Sequence, residues 1–488
     1  MTPRVLAWIV LASAALTAPI EGQVPLIDTL ALRAHTRFLA DDLLAGRATG
    51  SPGADLAALY IESQCRALGL EPIGQSYVQE VPLEESRVLA GTSLTASSVA
   101  GTVQFLYPSD FTPNIGTAAT LTSFEGPAVF VGTEDAVESG DLGPTDLRGR
   151  VAVTAGPFRG PAADTLTARG VVGMVQLIAD PETFALYRSS RGHTRLYHRD
   201  PSIQSSFVPS TPAVLAGPRV ARALMSGATV VADGTVRSQE LGWVVRFQPE
   251  LARRPVKAVN VACLLPGSDP STADRAIMLV AHYDHLGIGE PNAQGDSIYN
   301  GFSDNAAGVG MLLGIAGRLT DPSGAAPRHS IVFLFPTGEE RGLLGSDFYV
   351  SQPLWPLERT IAVINLDAGA PPGPPVSWRV AGTDSTGLGG VARRLAARLN
   401  WRITTSAARP NSDYYPFHRD GVPTAFIIPG PDPYEGLSAD STKALRDQWD
   451  RYHDPGDHWS SDFPFAGLAR YAGFALLMLR EVEASAQP

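Results

Sequence analysis

Four short, nearly uninterrupted apolar runs constrain this chain more than any other feature: Ile277 to Ala281, Ile331 to Phe335, Ile361 to Leu366 and Ala425 to Ile428. A strand with one wet face alternates polar and apolar side chains, so continuous runs predict central strands covered on both faces. Between and after them the spacing turns helical, over Asn305 to Leu319, Gly387 to Leu399 and Phe465 to Glu483. Strands alternating with helices predict an α/β fold, here a three-layer α/β/α domain with a mostly parallel central sheet. Such sheets gather their sites beyond the carboxyl ends of the strands.

The remaining sequence divides around that domain. Residues 1–22 read as an export signal, with Arg4, an apolar stretch from Val5 to Leu16 too short to span a bilayer, and cleavage near Ala18 or Gly22. This predicts an exported chain, periplasmic or extracellular, with no stable membrane insertion once the signal is cut; an uncleaved anchor is the alternative. Residues 23–101 form the amino-terminal part of the same domain. Asp28 to Leu70 carries two helical faces, Leu32, His35, Phe38 and Leu39 on one, Leu56, Ala58, Tyr60, Ile61 and Cys65 on the other, separated by a turn at Gly46 to Gly53. Short apolar runs broken by Gly and Pro, such as Ala128 to Val131, Val151 to Thr154, Val171 to Ile178 and Pro212 to Leu215, predict a β-rich insert over 102–247, before the main segment at 248–488. In an oxidising compartment Cys65 and Cys263 can pair, although free cysteine is also a common buried residue.

Several classes of function fall away. With 38 basic and 49 acidic residues the net charge is −11, which disfavours a nucleic-acid surface. Lys257 and Lys443 are the only lysines and neither follows a glycine, so no Gly-Lys-Ser/Thr phosphate loop can form. His-Glu-x-x-His and Gly-x-Ser-x-Gly are both absent.

What stands just past the strands is metal-competent or able to transfer protons: His282, Asp284, Asp304, Glu339, Glu340 and Asp367, with His453 later. Strand alternation sends His282 and Asp284 to one side, so that the carboxylate can orient the imidazole, and sends His285 away. Asp304, ahead of Asn305 at a helix start, would also serve as a cap. Each residue alone has an ordinary explanation as a cap, a solvated loop or a surface histidine. Together they form a mixed histidine and carboxylate set that suits zinc or another first-row divalent metal, and five ligands with one shared carboxylate suit two ions.

The stretches LVAHYDHLG, YNGFSDNAAGVG, PTGEERGLLGS, INLDAG and RYHDPGDHW resemble, in order and spacing, the motifs of the co-catalytic dizinc aminopeptidase family, whose relatives include glutamate carboxypeptidases and glutaminyl cyclases. LLAGRATGSPGADLAALYI is similar to that family's amino-terminal segment, and the β-rich insert looks like a protease-associated domain. The resemblance implies two Zn2+ per chain, with His282 and Asp367 on one, Glu340 and His453 on the other, and Asp304 bridging. It implies Glu339 as general base, Asp284 as the orienter of His282, Tyr452 as donor to the oxyanion, and a cis peptide between Asp304 and Asn305. One departure is Tyr414 in NSDYYPF, where many relatives have histidine; Tyr414, Tyr415, Phe417 and His418 would line the cleft or simply pack, and Trp449 and Trp459 are equally open.

The function so implied is a secreted zinc exopeptidase, an aminopeptidase acting on peptide or protein amino termini through a water between the two metals. The alternatives are a carboxypeptidase or dipeptidase on the same scaffold, with Arg341, Arg402, Arg409 and Arg419 as candidate carboxylate partners, or a noncatalytic binding descendant. The intact Glu339 argues against the last.

Overall fold

The computed structural model describes residues 24–486 apart from residues 26, 115–120, 140–145, 159, 191–193, 207–210, 229–237 and 384–386. The expected export signal, residues 1–22, lies outside the described residues. Among the described residues no helix is long and apolar enough to cross a membrane.

The four apolar runs are the centre of a large sheet. Thr424–Pro429, Thr360–Asn365, Ala276–Val280 and Ser330–Phe335 are neighbours in that order, and all three pairings are parallel. On one flank Ser377–Ala381 runs antiparallel to Thr424–Pro429 and parallel to Arg402–Ser406. On the other, the long strands Leu251–Leu265 and Val78–Val88 form an antiparallel ribbon beside Ser330–Phe335, and Thr194–His198 closes the edge. The sheet is therefore mixed, with a parallel block where the helical crossovers are and antiparallel wings where none is needed.

Side chains in the block segregate by the period of two. Ile277, Leu279, Ile331, Phe333 and Ile364 point into a core shared with helices Ala307–Leu319, Leu388–Arg398 and Ala466–Ser485. Met278, Val280, Val332, Leu334 and Val363 point the other way, toward helices Leu344–Ser351 and Tyr414–Arg419. The amino-terminal helices Thr29–Leu39 and Pro52–Ala67 join the first core through Leu32, Leu39, Ile61 and Cys65. The chain before the insert thus belongs to the same folded body as the chain after it.

A second, eight-stranded sheet lies between them in sequence, running from Ser93–Ser98 to Gln239–Gln248 and keeping its own core around Leu94, Phe111, Val153 and Phe247. The expected start at 102 falls one strand late. Ser93–Ser98 is not separable from the preceding sequence because its polar alternation, SLTASS, continues that of Val78–Val88. Residues 194–206 of the insert return to the main body. Thr194–His198 pairs with Val78–Val88, and a few residues on, Ser206 donates from its backbone N and its Oγ to the buried Asp347 at 2.8 and 2.6 Å, beside Arg419 Nη1 at 3.0 Å from the same carboxylate.

Cys65 and Cys263 are joined, tying helix Pro52–Ala67 to the strand Leu251–Leu265 across 198 residues of sequence that include the whole insert. Closing so long a loop removes much unfolded-state entropy, worth about 3–5 kcal/mol. A Cys65→Ala/Cys263→Ala chain should therefore unfold at a clearly lower denaturant concentration than the oxidised protein and match the reduced one; equal midpoints for oxidised and reduced protein would show that the link contributes nothing.

Candidate metal centre

Past the parallel block the backbone stops being extended at Val280, so residues 281–285 follow a loop rather than the strand's alternation. That loop presents His282, Asp284 and His285, all fully buried. The loop after Ser330–Phe335 brings Glu339 and Glu340, and the end of Thr360–Asn365 brings Asp367. Asp304 sits in a turn at Phe302–Ala306, at the mouth of helix Ala307–Leu319, where the Asp304–Asn305 peptide is cis. Asn305 holds this turn by donating from Nδ2 to Leu366 O at 3.0 Å and accepting from Gly308 N at 2.9 Å.

The side chains converge as two lobes sharing Asp304. His282 Nε2 lies 3.0 Å from Asp367 Oδ1 and 3.3 Å from Asp304 Oδ1. His453 Nε2 lies 3.1 Å from Asp304 Oδ2 and 3.2 Å from Glu340 Oε2. One carboxylate thus faces a histidine with each oxygen, and each histidine faces a second carboxylate. Glu339 lies with His282 and Asp367, in reach of a common ion.

The electrostatics follow from this crowding. Burial works against the His282 imidazolium, but Asp367, Glu339 and the hydrogen bonds to Asp304 and Asp367 outweigh it and hold its pKa well above the usual value. His453 is treated likewise by Asp304 and Glu340 and is raised to about 10. Asp304 is held well below the carboxylate range, since the bonds from His282 and His453 overcome its burial. Glu339, by contrast, is pushed well up by burial and by Asp367 and Glu340. Burial lifts Asp413 to about 7 and Asp457 to about 6. Protons on the two imidazoles thus occupy the places that a cation would take, and a divalent ion would bind by displacing them. Nitrogen and oxygen donors of this kind, brought within 3.3 Å of one another in two lobes, fit zinc.

Two expectations change. Asp284 does not reach His282 with its carboxylate, which stays 3.8 Å from Nδ1; the nearer acceptor is the Asp284 backbone carbonyl at 3.2 Å. The carboxylate instead accepts from Glu339 N at 3.1 Å and Thr49 Oγ1 at 2.8 Å, so it ties the two loops together. His285 does not point away: its Nδ1 lies 2.7 Å from Glu340 Oε1, because the strand that would have set its direction has already ended. Tyr452 is 71% exposed and stacks on the His453 ring at 3.8 Å between centroids. Burial of part of the ring and the carboxylates of Asp304 and Glu340 push its phenol pKa upward.

Ser412 and Asp457, which stand inside the NSDYYPF and RYHDPGDHW stretches but were given no role there, also belong to the site. Ser412 Oγ donates to Asp367 Oδ2 and accepts from Asn365 Nδ2 at 2.6 Å. Asp457 accepts from the backbone N of Ser303 at 2.9 Å and of Asp304 at 3.2 Å, capping the turn that carries the shared carboxylate. Tyr414 and Phe417 are buried packing residues: the first lies against Phe426, its hydroxyl accepting from Arg409 N and donating to Asn411. Trp449 lines a cavity of about 770 Å³ whose wall includes Ser303 and Ala368, the sequence neighbours of Asp304 and Asp367.

Residues 260–472 match Peptidase family M28. A probable glutamate carboxypeptidase of Zea mays is 26% identical over 437 residues, 78% of this chain and 58% of that protein, so the chain spans little over half the length of this curated relative. Among solved structures, an aminopeptidase from Aneurinibacillus sp. strain AM-1 superposes with a TM-score of 0.54 at 18% identity, covering 93% of this chain and 94% of the other; at that identity the likeness concerns the fold.

Two lobes sharing one carboxylate should hold about two zinc ions per chain. Elemental analysis after dialysis from saturating zinc measures this directly, and a plateau at one ion would mean that only one lobe binds.

Proposed function

We propose that the protein is an exported zinc exopeptidase that removes amino-terminal residues from peptides, with Glu339 as general base. The observation that carries this reading is the position of Asp304, which offers one oxygen to the His282 and Asp367 lobe and the other to the His453 and Glu340 lobe. His282, Asp304 and Asp367 would hold one ion, and Asp304, Glu340 and His453 the other. Zinc, when bound, supplies Lewis acidity toward a carbonyl and acidifies water.

The chain's own residues supply the rest. Glu339 has a raised pKa, so it takes a proton from water more readily than an ordinary carboxylate and can pass it to the departing amine. Asp284 keeps that base in place through the Glu339 backbone. Tyr452, stacked on the His453 ring, would donate to the oxygen of a carbonyl under attack. The cavity beside Ala368 and Trp449 has room for a side chain next to the scissile bond.

Charge favours the amino end of the substrate. Around the centre the acids Asp284, Asp304, Glu339, Glu340, Asp367, Asp413 and Asp457 outnumber the one buried arginine, Arg47, and such a surround favours an ammonium over a carboxylate. Of the candidate cations for a carboxypeptidase, Arg402 pairs with Asp432 and Arg419 with Asp347 and Asp420. The glutamate carboxypeptidase name of the Zea mays relative makes that activity the second reading. The eight-stranded unit is read as a protease-associated insert, and the cystine fits an oxidising compartment.

Amino-acid anilides with free amines should be hydrolysed and their amino-blocked forms should not, with Glu339→Gln abolishing most turnover while retaining zinc. Cleavage of only blocked peptides ending in glutamate would replace this reading by the carboxypeptidase. Tyr452→Phe should lower kcat by roughly a hundredfold, as expected for about 3 kcal/mol of lost oxyanion stabilisation, at unchanged zinc content; an unaltered kcat would leave Tyr452 as a ring packed on His453.

A further inference from the structure

The metal centre draws its outer support from a segment far upstream in sequence, 236 residues before Tyr283 in the case of Arg47. Arg47 is 1% exposed, with its guanidinium spread over backbone carbonyls of three separate pieces of chain. Nε donates to Tyr283 O at 2.9 Å, Nη2 to Gly301 O at 3.0 Å, and Nη1 to Asn300 O and to Leu39 O. Tyr283 lies between His282 and Asp284, and Gly301 lies three residues before Asp304. The backbone of the same short segment closes the contact: His285 N donates to Arg47 O at 3.2 Å, Ala48 forms a parallel bridge with His285, and Thr49 Oγ1 donates to Asp284 Oδ2 at 2.8 Å.

The local backbone is bent to make this reach. Ala45, Gly46 and Arg47 are successive residues in the left-handed region, with φ of 46°, 70° and 49°. A side chain on Gly46 would lie 2.5 Å from both Gly287 O and Tyr299 O, so the main chain itself packs against the two loops. Left-handed residues other than glycine persist where the surroundings over-determine them. Here they deliver a planar donor fork between the loop of His282 and the turn of Asp304.

We infer that Arg47 is a positioning residue of the metal centre: its guanidinium sets the separation of the 282–285 loop and the 300–304 turn, with Thr49 orienting Asp284 from the same segment. Arg47 touches no donor atom of the site. A lysine keeps the charge but offers a single point in place of a planar fork with donors in several directions, so the two loops lose their common brace. His282 and Asp304 come from different loops and must serve one ion, so the loss falls on metal affinity more than on folding.

This inference rests on the metal reading, and its test separates the two. Full-length oxidised wild type, Arg47→Lys and Thr49→Val are stripped of metal, checked by near-ultraviolet circular dichroism, and titrated with zinc against a chromogenic chelator. Arg47→Lys should bind zinc at least tenfold more weakly while keeping the native spectrum, and excess zinc should restore most of kcat with little change in KM. Thr49→Val, which leaves the guanidinium in place, should lose roughly threefold to tenfold while keeping the native spectrum. Folded variants with wild-type zinc affinity would overturn the inference and leave the metal reading intact. Wild type that binds no zinc would overturn both. Should Arg47→Lys fail to fold, unchanged affinity in Thr49→Val would still overturn it.

Discussion

Crowding of negative charge in one buried place is the constraint on which the rest of the structure depends. Seven carboxylates, from Asp284 to Asp457, gather beyond the ends of the parallel strands. Two unit charges 4 Å apart repel by about 4 kcal/mol at an effective dielectric of about 20, so such a group persists only with interleaved cations and with some of its acids pushed toward their protonated form. His282, His285 and His453 stand between the acids, each within hydrogen-bond reach of at least one carboxylate. Arg47 adds a fully buried positive charge; burial lowers its pKa to about 10, while Asp284, Asp457, Asp304 and Glu340 favour its charged form. Removing one member of such a set strands its partner in a poor dielectric, which costs more than the pair was worth.

The architecture keeps this group together from several directions. The parallel block delivers four loops to one end of the sheet, as open α/β sheets do. The amino-terminal segment closes the group from below through Arg47 and Thr49, and the cystine between Cys65 and Cys263 holds that segment to the sheet although the whole insert intervenes in sequence. The insert in turn is fastened where Ser206 and Arg419 share the buried carboxylate of Asp347, whose pKa burial lifts to about 6. The helix bearing Asp347 begins four residues after Glu340, so the fastening of the insert and the placing of the base are built on neighbouring turns of chain.

The parallel block and its covering helices were legible because both-sided burial imposes continuous apolar runs, and Ile277, Ile331 and Val363 report it without ambiguity. The ribbon of Val78–Val88 with Leu251–Leu265 was not, since one wet face leaves an alternation rich in Glu, Ser and Arg that resembles a solvated loop. Motif spacing named His282, Asp304, Glu340, Asp367 and His453, and folding draws their donor atoms to within 3.3 Å. Strand alternation misdirected His285, because it was applied beyond the end of the strand.

By itself the sequence determined the order of strands and helices, the identity of the acids and histidines past the strand ends, and the unsuitability of the chain for phosphate loops or nucleic acid. These depend on local periodicity and on residue chemistry, both carried by consecutive positions. Only the tertiary structure decided that an arginine beside Gly46 is buried beneath the site, that Asp457 caps the turn of Asp304, that Ser412 holds Asp367, and that the two cysteines meet. Each of these depends on contacts between residues 45 to 254 positions apart. A buried polar side chain finds its partner through the path of the whole chain, and nothing in its own neighbourhood announces where that path returns.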